Sequence, residues 1–278
     1  MLRVTLLGGM SFSVNGTLVK SDLGPAGRLL ACYLFEFAGR VHRRERLADI
    51  FWGETEPDKA RSALNTAIWR IRKILELGTT GAARHLITHG DDVILEECQS
   101  VHVDTHQLED ASRRVLNLPN ARAASDQDIQ DITAAVEGYG GPFLDGYDGD
   151  WVLQERERLH CLFVRSTFEL MRVAAMQREY EYALDMGRRI LAIDALRESV
   201  QRDMMLLFVL NGQRAEAIRT YQRLIDLLRR ELSIEPMPET NRLYGDIVSG
   251  QIFRQLDHYT LAYFGIHQGS APAGPKKE

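Results

Sequence analysis

Hydrophobic and polar positions divide the chain into two halves with different periods. In the first, Arg3 to Leu7 and Ser11 to Val14 are rich in β-formers, and Asn15-Gly16 is a two-residue hairpin signal leading into Thr17 to Lys20. From Ala26 to Phe37 the apolar residues recur at helical spacing, with Gly39 placed as a C-cap. A second helix is predicted from about Arg43 to Phe51, with Leu47, Ile50 and Phe51 facing inward and Trp52-Gly53 ending it. A third starts near Asp58, read as its N-cap, and runs to about Leu77. Leu86 to Thr88 and Val93 to Glu96 then flank the turn His89-Gly90-Asp91-Asp92. Strands, three helices and a hairpin, in that order, predict a winged helix over residues 1–103.

Beyond Asp104 the strand signals stop. Helices are predicted at about 105–118, 127–138, 150–177, 179–193, 197–211, 214–230, 238–249 and 252–264. Gly140-Gly141-Pro142 is the clearest breaker among them, and Asp145 to Asp150 reads as a turn and helix cap. Ala183-Leu184, Ile190-Leu191 and Leu170-Met171 recur 34 residues later as Ala217-Ile218, Leu224-Ile225 and Met204-Met205. That is the tetratricopeptide period, with small residues where paired helices approach closely. The chain is therefore expected to be mostly α: an α+β winged helix (1–103), an all-α repeat domain (104–266) and a tail (267–278), Gly/Pro/Ala-rich from Gly269 and expected to be disordered.

The third helix carries the chemistry. At 100° per residue, Ala60, Leu64, Ala67, Ile68, Ile71, Ile74 and Leu75 form one apolar stripe. Opposite it lie Ser62, Asn65, Thr66, Trp69 and Lys73, flanked by Arg61, Arg70 and Arg72. Lys59 to Lys73 holds five cations and no carboxylate, whereas a merely solvated face usually mixes both signs. Such a face suits a helix lying in a DNA major groove. Arg can bond guanine through two prongs, Asn can do the same to adenine, and a Thr methyl can touch thymine. A second cluster, Arg40, Arg43, Arg44 and Arg46, opens the preceding helix, where cations reach phosphates; Glu45 interrupts it.

Charge sharpens the division. Residues 1–103 hold 13 Lys/Arg against 12 Asp/Glu, and the remainder 21 against 27. Only the first half can approach a phosphate backbone without broad repulsion. The longest apolar runs, Leu29 to Phe35 and Met204 to Leu210, are seven residues each, too short to span a bilayer. The N-terminus lacks a secretory leader pattern, and Cys32, Cys98 and Cys161 are scattered, which fits a reducing cytoplasm. His85/His89 and His102/His106 share an i, i+4 spacing without a third ligand, so structural roles are expected and no metal. Neither Gly8-Gly9 nor Gly78-Thr79-Thr80-Gly81 matches a nucleotide-binding pattern, and Asp145 to Asp150 lacks the rest of a calcium loop. No nucleophile constellation is present; the expectation is a protein without cofactor that is not an enzyme.

Residues 1–103 resemble the OmpR-type winged helix, most strongly in FWGETEPDKARSALNTAIWRIRKIL (51–75). Residues 104 to about 249 resemble the bacterial transcriptional activation domain, through YGGPFLDGYDGDWVLQERERL (139–159) and the segment 195–240. The pairing in this order resembles the SARP family of regulators. The resemblance implies a transcription activator that binds promoter direct repeats as a dimer and recruits RNA polymerase. It also implies DNA contacts for Thr66, Arg70 and Arg72; Asn65, Trp69 and Lys73, with Arg61, are added by the helical wheel, and Arg43 and Arg44 by the second cluster. The hairpin differs from the family's, because Asp91-Asp92 and Glu96-Glu97 stand where an aromatic and a basic residue are usual. Neither an appended nucleotide-binding module nor a preceding phospho-receiver is expected. The alternative is an adaptor whose helical repeats bind a partner and whose winged helix has little DNA affinity.

Overall fold

The apolar stripe of the third helix is buried in full, and the first half of the chain is arranged around it. The computed structural model describes residues 1–20, 22–78, 85–118 and 124–264. The remainder of the Gly78–Gly81 segment and the tail from Gly269 lie outside the described residues. The chain forms two compact units: Met1–Arg113 with Ala134–Phe163, and Arg114–Thr133 with Val164–Glu278.

In the first unit, β1 (Leu2–Thr5), β2 (Ser11–Val14) and β3 (Thr17–Leu18) form an antiparallel meander turning at Asn15-Gly16. Three helices follow: α1 (Pro25–Glu36), α2 (Arg44–Trp52) and α3 (Pro57–Gly78). Two strands were not legible in the pattern: β4 (Val41–Arg43) before α2, and β7 (Val101–Val103) after the hairpin β5 (Leu86–His89)–β6 (Asp92–Leu95). The first sheet has the order β3-β2-β1-β7, with β7 parallel to β1, and the second β4-β6-β5. Local expectations shift by a residue or two. α1 ends at Phe37, while Gly39 donates its N–H to Leu95 O in the turn beyond. Asp58 sits within the first turn of α3 rather than before it, where its charge still complements the helix dipole. Ile50 is 38% exposed, and Ala48 takes the buried place beside Leu47.

The segment 134–163 completes this unit. Gly8 N–H donates to Pro142 O (3.0 Å) and Leu144 N–H to Leu6 O (2.8 Å), with a bridge pairing Leu7 and Phe143. Gly140-Gly141-Pro142 thus does more than break a helix; it lays the backbone along the end of β1. The helices α4 (Asp104–Leu116) and α5 (Asp126–Glu137) precede α6 (Asp150–Met176), at whose start Trp151 meets Tyr33 edge-on at 5.0 Å and packs against Phe51 (6.2 Å) and Phe143 (5.9 Å). Arg156 caps the turn before it by donating to the carbonyls of Phe143, Leu144 and Tyr147.

Beside this aromatic cluster, Glu36 is buried and accepts from Thr105 Oγ1 (2.6 Å) and Arg158 Nη2 (3.1 Å). Arg158 also pairs with Glu109 and Glu155, so three carboxylates share one guanidinium. Burial pushes the Glu36 carboxyl up from 4.5 to about 7, against the Thr105 hydrogen bond, which favours the charged form. Asp203 in the second unit is likewise raised to about 7 by burial. Between the two values the folded chain holds protons that the unfolded chain has released. Stability should therefore fall as pH rises from about 4.5 to about 7. Denaturant midpoints measured across that interval should decline, and Glu36→Gln should flatten the decline; a rising midpoint would refute the assignment.

In the second unit, α7 (Tyr180–Ile193), α8 (Glu198–Leu210) and α9 (Arg214–Leu232) pack in succession, followed by α10 (Pro238–Ser249). Ala183 and Ala217, one period apart, are both fully buried, as are Ile190 and Leu224. The architecture is a winged helix with tetratricopeptide-like helical repeats. The last predicted helix divides into a 3-10 turn (Gln251–Arg254) and α11 (Leu256–Phe264). No helix among the described residues is long and apolar enough to cross a membrane.

Candidate nucleic-acid interface

Burying Leu64, Ile68, Ile71 and Leu75 fixes the rotation of α3, and the opposite face must then meet solvent. Asn65, Thr66 and Lys73 are exposed there, and Trp69 is 57% exposed at its centre. Thr66 Oγ1 donates to Ser62 O (2.9 Å) one turn back, leaving its methyl outward-capable but its hydroxyl proton committed. Lys73 lies 5.8 Å over the Trp69 ring and pairs with Glu76 at 2.7 Å.

The cations differ in what holds them. Arg61 pairs with Asp58 (3.4 Å) at an exposed site, where such a pair contributes little stability, and the exposed Arg43 pairs with the half-buried Asp92 (3.2 Å). Arg70 Nη1 donates to Asp22 O at 2.5 Å. Arg72 turns toward the hairpin: its guanidinium donates to Leu86 O (3.1 and 3.3 Å) and Thr88 Oγ1 (2.7 Å), tying β5 to α3. Arg44 points back across the site, donating to Gly90 O (3.2 Å) and to Asn65 Oδ1 (2.6 Å). Arg43, Arg44, Arg61 and Asn65 line a cleft of about 790 Å³ with Trp52 and Asp91.

The fold thus brings together the start of α2, the outer face of α3 and the hairpin turn. It also brings in carboxylates that the run Lys59–Lys73 does not contain, namely Asp58, Glu76 and Asp92. The expected wing is acidic at its turn, and its tip is held by Arg44 rather than left free. Of the paired histidines, His106 Nε2 bonds Glu36 O (2.9 Å), His102 Nδ1 lies 3.4 Å from Gln107 Nε2, and His85 Nε2 lies 3.5 Å from Cys98 Sγ. Sequence reasoning missed the partners of the arginines, Asp22, Leu86 and Thr88, because they are brought close only by the fold.

Residues 103–248 match the family model of the bacterial transcriptional activator domain, which is more than half of the chain. The chain is 27% identical over 248 residues to the regulatory protein AfsR of Streptomyces griseus, covering 87% of this chain and 24% of AfsR. It is 24% identical over 259 residues to the transcriptional regulatory protein MoaR1 of Mycobacterium bovis, covering 89% and 82%. The chain therefore spans about a quarter of AfsR and most of MoaR1. Among solved structures it is similar to Mycobacterium tuberculosis EmbR in complex with a low-affinity phosphopeptide. The TM-score is 0.74 at 20% identity, over 90% of this chain and 65% of that one. With the domain matched over its helical part and regulators aligned along most of its length, the chain belongs to the bacterial transcriptional activator domain family and is a SARP-type transcription regulator.

Proposed function

We propose that the chain binds double-stranded DNA at promoter direct repeats through α3, as an activator that contacts RNA polymerase. The observation that carries this reading is the α3 face itself: an apolar stripe wholly buried on one side, with Asn65, Thr66, Trp69, Arg70 and Lys73 on the other. Arg43, Arg44 and Arg61 extend its charge around the cleft, as phosphate contacts do in helix-turn-helix docking. One such helix reads few base pairs, so two copies on neighbouring repeats supply the remaining affinity through effective concentration. The direct repeats imply a head-to-tail pair on DNA. The protein acts in the cytoplasm, without cofactor and without catalysis.

The test is anisotropy of the full chain on a promoter duplex recovered by genome-wide footprinting, titrated with salt. If about five cations of one copy meet phosphate, log K for a single half-site falls against log salt with a slope of about −4.5. Two half-sites should bind cooperatively and one should not. The adaptor reading is favoured by the carboxylates on Arg43, Arg61 and Lys73. No binding to any duplex at about 50 mM salt would leave it standing and refute the DNA reading.

A further inference from the structure

Asn65 enters the reading face as a residue that can grip adenine with both ends of its amide. Its surroundings allow less. The amide oxygen already accepts from Arg44 Nη1 at 2.6 Å. Arg44 is itself fixed by three bonds: its backbone N–H to Asp91 O (2.8 Å), its Nε to Gly90 O (3.2 Å), and the Asn65 contact. Asn65 Nδ2 makes no hydrogen bond to the protein among the described residues.

We propose that Arg44 is a positioning residue that locks the Asn65 amide so that it offers only donors to DNA, making Asn65 select guanine over adenine. This inference rests on the DNA-binding reading of α3. An arginine has only donors, so its bond to the amide decides which atom is oxygen and turns that end toward the guanidinium. The two-pronged adenine contact needs that same oxygen to receive the N6 amino hydrogens, beside a full positive charge. Guanine meets the free N–H groups with two adjacent acceptors, N7 and O6, and brings no donor to the guanidinium. The hairpin thereby takes part in base selection without touching a base: its turn carbonyl, at Gly90, holds the arginine that holds the amide.

The experiment uses the full chain and a randomised double-stranded DNA library. The selected site is then measured with each base pair at each position, for wild type, Asn65→Ala, Asn65→Asp and Arg44→Ala. One position should lose its discrimination in Asn65→Ala. At that position wild type should favour guanine over adenine by about 10-fold or more, the range of one good base contact. Arg44→Ala should move the preference toward adenine, and Asn65→Asp, an acceptor only, toward the cytosine amino group. An adenine preference in wild type, or an unchanged preference in Arg44→Ala, overturns the proposal. So does an Asn65→Ala protein that selects the same site with the same discrimination throughout. Failure of wild type to select any site is a different outcome and refutes the DNA reading beneath it.

Discussion

Gly8→Ala is expected to lose about 3 kcal/mol of stability, far more than the same change at Gly16. Both glycines have nearly the same φ, +83° and +84°. What differs is the space around them. A Cβ on Gly8 would stand 2.5 Å from the carbonyl carbon and oxygen of Gly140 and 2.9 Å from Gly141 N, all backbone atoms. A Cβ on Gly16 would meet nothing within 4 Å. Left-handed backbone alone costs a non-glycine residue about 1 kcal/mol or somewhat more, so Gly16→Ala isolates that part. The excess at Gly8 measures the contact between β1 and segment 140–143. Urea unfolding of both variants decides it, and equal losses would show that the two backbones do not approach.

Arg70→Ala is expected to weaken specific DNA binding by about 1–3 kcal/mol if a two-pronged base contact is lost. If the contact is to phosphate, the loss is smaller and the salt slope drops by about 0.9. Its only hydrogen-bond partner among the described residues is the Asp22 carbonyl, so thermal stability should change little. Arg72→Ala provides the contrast. Its bonds to Leu86 O and Thr88 Oγ1 are partly buried, and losing them should cost about 1–2 kcal/mol of stability along with DNA affinity. Arg70→Ala binding its selected site like wild type, with the same salt slope, would remove Arg70 from the interface.

What could be read from the chain follows from what is local. The α3 stripe was legible residue by residue because a period of 3.6 repeats from Ala60 to Leu75, over about four turns, and one face has to be buried. β4 and β7 were not, since three residues each leave no room for alternation. Ile50 and Ala48 exchange places because their order is settled by packing rather than by hydropathy. The outward cations of α3 follow from the wheel, but not the turn of Arg72 toward β5, 14 residues away. Least legible was Glu36, an acid within an apolar run. Its partners Thr105 and Arg158 lie 69 and 122 residues further along, where no local pattern can point.

The docking of Phe143, Trp151 and Arg158 onto the strands and helices of the first unit also sets an order of events during synthesis. A ribosome that has finished residue 103 has made every strand and helix of the winged helix, yet Tyr33 and Phe51 still lack Trp151, and Glu36 lacks Thr105 and Arg158. The missing segment ends at Phe163, about 60 residues later. At about 5–20 residues per second, the nascent unit waits roughly 3–12 seconds with an aromatic face uncovered and a carboxylate uncompensated. Maturation of the first unit is thus timed by translation of the activator domain, so a message truncated between the two yields an α3 without its finished support.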